Sequence, residues 1–89
     1  MLVLPAELTH AQASACLGML VQTLRTHQAP EVVADASATV VFDSSALAVL
    51  LACRREALGL GKTFAVRGLH ERLATLASIY GVSELLPGA

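Results

Sequence analysis

The chain has 89 residues, with six Lys and Arg against seven Asp and Glu for a formal net charge of −1, and is 55% hydrophobic, 15% charged and 3% aromatic. A length of this order makes one small domain spanning residues 1–89, in which roughly 60–65% of the unfolded surface becomes buried, so the apolar residues supply one core and no second. High apolar content at near-zero charge excludes disorder, and the absence of a Lys/Arg cluster, with one Tyr and two Phe to stack on bases, argues against nucleic acid as a partner.

Met1 to Leu4 is a short apolar run stopped by Pro5, enough for a stub of strand. Thr9 and Gln12 form the T-x-x-Q pattern of a helix start. Cys16, Leu17, Leu20, Val21 and Leu24 follow at helical spacing, leaving Gln22, Arg25 and Thr26 outward until Pro30 ends the stretch. Glu31 to Ala36, β-branched at Val32 and Val33, reads as a strand, and Val40-Val41-Phe42 reads as a second apolar, buried segment leading into Asp43. From Ser44 a helix is expected with Leu47, Leu50, Leu51 and Leu58 inward, Arg54, Arg55 and Glu56 wet, and Gly59 and Gly61 closing it. Lys62 to Arg67 is the next strand. After Gly68 a third helix is expected to bury Leu69, Leu73, Leu76 and Tyr80 before Gly81 stops it, and the tail Glu84 to Ala89 offers a last edge contact before Pro87. The order β-α-β-α-β-α with short connections predicts an α/β sandwich with a mainly parallel sheet, because each crossover returns the chain in the same direction.

The longest apolar run, Ala46 to Cys53, falls far short of the roughly 20 residues that span a bilayer, so neither a membrane-inserted segment nor a secretory leader is expected. Cys16 and Cys53 sit in apolar helical patterns instead of a C-x-x-C pair, as buried thiols of a reducing cytoplasm do. Gly59-Leu60-Gly61-Lys62-Thr63 ends like a phosphate-binding loop. The first glycine of that motif would fall at Glu56, however, and the stretch runs from helix to strand, whereas a phosphate loop runs from strand to helix. No nucleotide or other cofactor is therefore expected. His10, His27 and His70 are scattered over separate segments without metal-ligand spacing, so no metal is expected either. Ser44 and Ser45 lack a G-x-S-x-G elbow, which makes a hydrolase using one of them the weakest reading and leaves no catalytic residue; the chain is expected not to be an enzyme.

The remaining candidate is the strand-to-helix corner Asp43, Ser44 and Ser45. Asp and Ser at a helix start are ordinary capping residues, since their oxygens accept the first free backbone N–H groups. A hydroxyl in that position is also displayed beside the positive end of the helix, where it can contact a partner or carry a phosphate.

The stretch Val32 to Ala89 resembles STAS domains, whose hallmark is a strand leading to Asp-Ser/Thr-x-Gly-Leu at a helix start, here Phe42-Asp43-Ser44-Ser45-Ala46-Leu47. More narrowly, Leu47-Ala48-Val49-Leu50-Leu51, Val66-Arg67-Gly68-Leu69 and Thr75-Leu76-Ala77-Ser78-Ile79-Tyr80-Gly81 with a closing Leu86-Pro87 look like the B subunits of the bacterial lipid-asymmetry (Mla) phospholipid ABC transporters. That resemblance implies a STAS-like fold and a non-enzymatic, cytoplasmic subunit peripheral to the inner membrane, bound to the transporter's ATPase with its permease. In that family the position of Ser44 lies at the surface that meets the ATPase. The related sigma-factor regulators, which are anti-sigma-factor antagonists, carry a phosphorylated serine there. Ala46 departs from the motif glycine, which weakens the expectation of a close backbone contact at that spot. The N-terminal strand is also shortened relative to the family, so one sheet edge is expected to be open, to be covered, bulged or paired with a second copy in a homo-oligomer.

Overall fold

A computed structural model describes residues 1–89. In chain order the elements are β1 (Leu2–Val3), β2 (Glu7–Leu8), α1 (His10–Thr26), β3 (Glu31–Asp35), β4 (Val41–Phe42), α2 (Ser45–Gly59), β5 (Thr63–Arg67), α3 (Glu71–Ile79) and a closing 3-10 turn (Ser83–Leu85). Strands β1, β3 and β5 form one parallel sheet in that order, with Leu2 opposite Ala34, Val32 opposite Phe64 and Ala34 opposite Val66. This is the parallel α/β architecture expected from the alternation of strand and helix.

Residues paired across a sheet share a face. Leu2, Leu4, Val32, Ala34, Ala36, Phe64 and Val66 are all buried, so one face of the sheet carries the core. They pack in one cluster with Leu20 and Leu24 of α1, Leu47, Leu50 and Cys53 of α2, and Leu73 and Ala77 of α3. The opposite face, with Val3, Val33, Ala65 and Arg67, is exposed or half-exposed. Strand order follows chain order in one direction, and right-handed crossovers then lay successive helices on the same face, which accounts for a core on one side only.

The helices start and stop on local chemistry. The Gln12 side-chain oxygen accepts the Thr9 backbone N–H at 2.8 Å and the Thr9 hydroxyl at 2.7 Å, tying down the start of α1. Helix α2 ends where Gly61 takes a positive φ of 74°, with Gly61 N–H on the Leu58 carbonyl at 3.0 Å and Lys62 N–H on that of Ala57 at 2.9 Å. Helix α3 repeats the same stop at Gly81 and Val82. Lys62 spends its ammonium on the carbonyls of His27 and Ala29 at 2.8 and 2.7 Å, fastening the exit of α1 to the entry of β5. The lysine that imitates a phosphate loop in the sequence is thus a tether between segments.

Four expectations are corrected. Val40-Val41-Phe42 is no buried strand of the main sheet: Val40 and Val41 are exposed, and Val41–Phe42 pairs with Glu7–Leu8 in a separate parallel ribbon. A two-residue strand has no periodicity to read, which hid both β2 and β4. Tyr80 lies outside the buried stripe at 58% exposure, because α3 ends at Ile79 and Ala77 takes the inward position. Leu58 is exposed for the same reason, its inward neighbour being Ala57. The tail joins the sheet after Pro87: Gly88 bridges to Val66, with Val66 N–H on the Pro87 carbonyl at 2.8 Å and Ala89 N–H on the Val66 carbonyl at 3.0 Å. On the other flank β1 is an edge strand, bonded to β3 alone. Of the two cysteines Cys53 is buried and Cys16 is half-buried; burial raises both thiols, that of Cys53 to about 12, so each stays protonated at neutral pH.

Candidate functional site

The β2–β4 ribbon positions the corner. With Glu7 opposite Val41 and Leu8 opposite Phe42, the residues that follow, Thr9 and Asp43, leave the ribbon side by side as both chains turn into helices. The ribbon is pinned from below by Val40 and Val41 N–H groups on the Ala6 carbonyl at 2.9 and 3.1 Å. The buried Thr39 hydroxyl adds a bond to the Pro5 carbonyl at 2.8 Å. Two helix N-termini consequently open at one point.

Asp43 occupies that point. One carboxylate oxygen accepts the His10 backbone N–H at 3.0 Å, the first residue of α1, and the other accepts the Ser45 N–H at 2.8 Å, the first residue of α2. A negative charge between two positive helix ends is doubly favoured. The bond from His10 first, and then that from Ser45, holds the Asp43 carboxyl below its ordinary range, with the Ser45 hydroxyl beside it adding to the effect.

The three corner residues therefore divide the work, where the sequence suggests shared capping. Asp43 caps both helices. Ser44 contributes its carbonyl to the first turn of α2, accepting the Leu47 N–H at 3.1 Å, while its exposed hydroxyl makes no capping bond. Ser45 is half-buried against the carboxylate. Ala46, in place of the motif glycine, is fully buried, and its methyl group is part of the core under the helix start.

Beside the corner lies a group that no sequence motif announces. The half-buried Phe42 ring meets the His70 ring with centroids 5.0 Å apart at 60°, and the Arg72 guanidinium stands 5.7 Å from the Phe42 centroid. His70, weighed from sequence only as a metal ligand, is the N-cap of α3: its Nδ1 accepts the Arg72 backbone N–H at 3.1 Å, so that nitrogen carries no proton in this arrangement. Phe42, Arg72, Thr75 and Leu76 line a hollow of about 400 Å³. The available signals were the aromatic residue just before Asp43 and the histidine just before a helical stretch, but neither is distinctive without the contact between them. A larger apolar groove of about 500 Å³ runs between the β1–β2 segment and α1, lined by Val3, Pro5, Ala15, Cys16 and Met19 among others. His10, His27 and His70 do not come together, and no three His, Cys, Asp or Glu side chains converge as metal ligands would.

A family model described as "Mlab, STAS domain" matches residues 1–87, and the chain belongs to this STAS-domain family. The match takes in the N-terminal segment as well as the stretch from Val32 onward on which the resemblance rests. A search of curated proteins finds no match.

Proposed function

We propose that this STAS-domain chain is a non-enzymatic docking subunit that binds the ATPase of an inner-membrane phospholipid ABC transporter of the Mla type, one that maintains outer-membrane lipid asymmetry. The observation that carries the reading is the division of labour at the corner. Asp43 takes over the capping of both helices, which leaves the Ser44 hydroxyl outward on a surface fixed from two sides. Rigid display of a small polar group is what a recognition surface needs, because little entropy is lost when a partner closes over it. The description of the family that the chain matches points the same way. A docking role in place of chemistry is supported by the state of Asp43, whose two oxygens each accept a backbone N–H at a helix start and so serve as a structural cap. No helix is long and apolar enough to cross a membrane, which fits attachment to the membrane through the transporter.

A second reading, that of an anti-sigma-factor antagonist, is favoured by the same free hydroxyl: a phosphate on Ser44 would sit at the head of α2, where the helix dipole favours negative charge. Purification of the tagged chain from native membranes distinguishes the two. Recovery of an ABC ATPase with its permease is the expected result, and recovery of a soluble serine kinase alone overturns the transporter reading. Within the complex, Ser44→Asp should weaken binding more than Ser44→Ala, since a second carboxylate beside Asp43 has to be desolvated at the interface, a cost of order several kcal/mol. Calorimetry on folded protein measures the difference.

A further inference from the structure

From the hollow next to the corner we infer the chemistry of the partner segment: an acidic residue flanked by an apolar side chain, the carboxylate on Arg72 and the apolar group on Phe42 and Leu76. The inference rests on the docking reading only for the identity of the partner protein.

The floor of the hollow is apolar, made by the half-buried Phe42 and Leu76, and its rim carries Arg72 and Thr75. The chain has one ion pair, Arg25 with Glu56 at 3.9 Å, so the Arg72 guanidinium has no carboxylate partner of its own. It is held over the Phe42 ring instead, at 5.7 Å, which orients its N–H groups while leaving them unspent. Thr75 donates its hydroxyl proton to the Glu71 carbonyl at 3.1 Å, so the arginine is the rim's free donor. An oriented, desolvatable arginine beside an aromatic residue is the composition of the energetically dominant spots in protein interfaces. A single cation, with Glu71 next to it in the chain, balances a singly charged carboxylate better than a doubly charged phosphate. The hollow adjoins the corner in the chain, because Phe42, part of its floor, directly precedes Asp43.

The test uses the full chain, isotopically labelled, titrated with two capped tripeptides, leucyl-glutamyl-leucine and leucyl-glutaminyl-leucine, while amide shifts are followed by NMR. Saturable shifts confined to Phe42, Arg72, Thr75 and Leu76, present with the glutamyl peptide and lost with the glutaminyl one, are expected. They should vanish in Arg72→Ala and survive in part in Arg72→Lys. Equal response to both peptides, or shifts that fall on the groove along α1, overturns the inference. Arg72 is exposed and its side chain makes no hydrogen bond or ion pair, so these variants should keep the wild-type circular dichroism. With the transporter ATPase as ligand, Arg72→Glu should weaken the complex by roughly tenfold or more. An ATPase that binds wild type and Arg72→Glu equally overturns the hollow and leaves the docking reading standing. A peptide response without any ATPase recovered from membranes does the reverse.

Discussion

Asp35-Ala36-Ser37 and Asp43-Ser44-Ser45 are the same local construction at the ends of two strands, and only one of them becomes a candidate site. Each carboxylate accepts the backbone N–H two residues on, from Ser37 at 3.0 Å and from Ser45 at 2.8 Å. Each carboxyl is held below its ordinary range, that of Asp35 by the Ser37 hydroxyl first and that of Asp43 by the His10 N–H first. The difference lies in what stands opposite. After Asp35 the chain is closed off by Gly68, where an added Cβ would stand 2.6 Å from Ser37 Cβ, and the Ser37 hydroxyl is spent on Asp35 itself. After Asp43 a second helix end arrives, takes the other carboxylate oxygen and leaves the Ser44 hydroxyl outward. A D-x-S sequence at a strand end thus specifies a turn, and its tertiary neighbour decides whether anything remains free for a partner.

The largest effect that breaks this comparison comes from the core. Leu50 is fully buried on the inner face of α2, and Leu50→Ala should cost about 2–5 kcal/mol. Loss of that anchor weakens the corner and the Asp35 turn together, because α2 and β3 share one core cluster. Chemical denaturation measures it, and an unchanged midpoint would show that α2 is rotated from the arrangement described.

Gly68→Ala attacks the other member of the pair. Gly68 has a positive φ of 67° and an added Cβ would stand 2.9 Å from the Ser37 Cα, so the substitution brings left-handed strain and a collision that a side-chain rotation cannot relieve. The strain alone is worth about 1–3 kcal/mol. The Asp35 turn should open, seen as faster amide exchange at Ser37 and Ala38, with the exchange of His10 and Ser45 unchanged.

Acid titration sharpens the comparison. A carboxylate whose folded pKa is depressed adds stability that is fully present above its unfolded value, about 3.9, and is lost as pH falls through the folded value. Both Asp35 and Asp43 are depressed, so wild-type stability should be level above about pH 5 and decline in acid. Asp35→Asn and Asp43→Asn should each flatten part of that decline. Only Asp43→Asn should also loosen the start of α1, because only Asp43 reaches a second helix. An acid limb of equal steepness in wild type and both variants contradicts the assignment.

Ser44→Ala should do least. Its hydroxyl makes no capping bond, so the change in stability should stay within about 0.5 kcal/mol, against roughly 1 kcal/mol for loss of a true cap. Thermal melting of wild type and variant decides it. A cap-sized loss would return Ser44 to the capping role that Asp43 is assigned.

What the amino-acid sequence determined by itself were the features built from neighbours within four residues. The T-x-x-Q start of α1, the glycine stops at Gly61 and Gly81, the helical stripes through Leu24 and Leu50, and the β-branched run at Val32 and Val33 all rest on bonds or packing whose spacing is set by the helix or strand period. The alternation of such elements was enough to imply a parallel sheet, and Asp43, Ser44 and Ser45 stood out because capping chemistry is local too. The tertiary structure alone decided the ribbon of β2 and β4, whose two-residue strands hold no period. From its register came the alignment of Thr9 with Asp43, and so the single carboxylate that serves two helices, one of them through an N–H 33 residues earlier in the chain. The contact of Phe42 with His70 and Arg72 arose in the same way, between segments whose separation in sequence carries no signal. Leu58 and Tyr80, at helical spacing in the sequence, were left exposed because Ala57 and Ala77 take the inward positions where α2 and α3 end, a choice set by which side of the last turn faces the core and not by hydrophobicity along the chain.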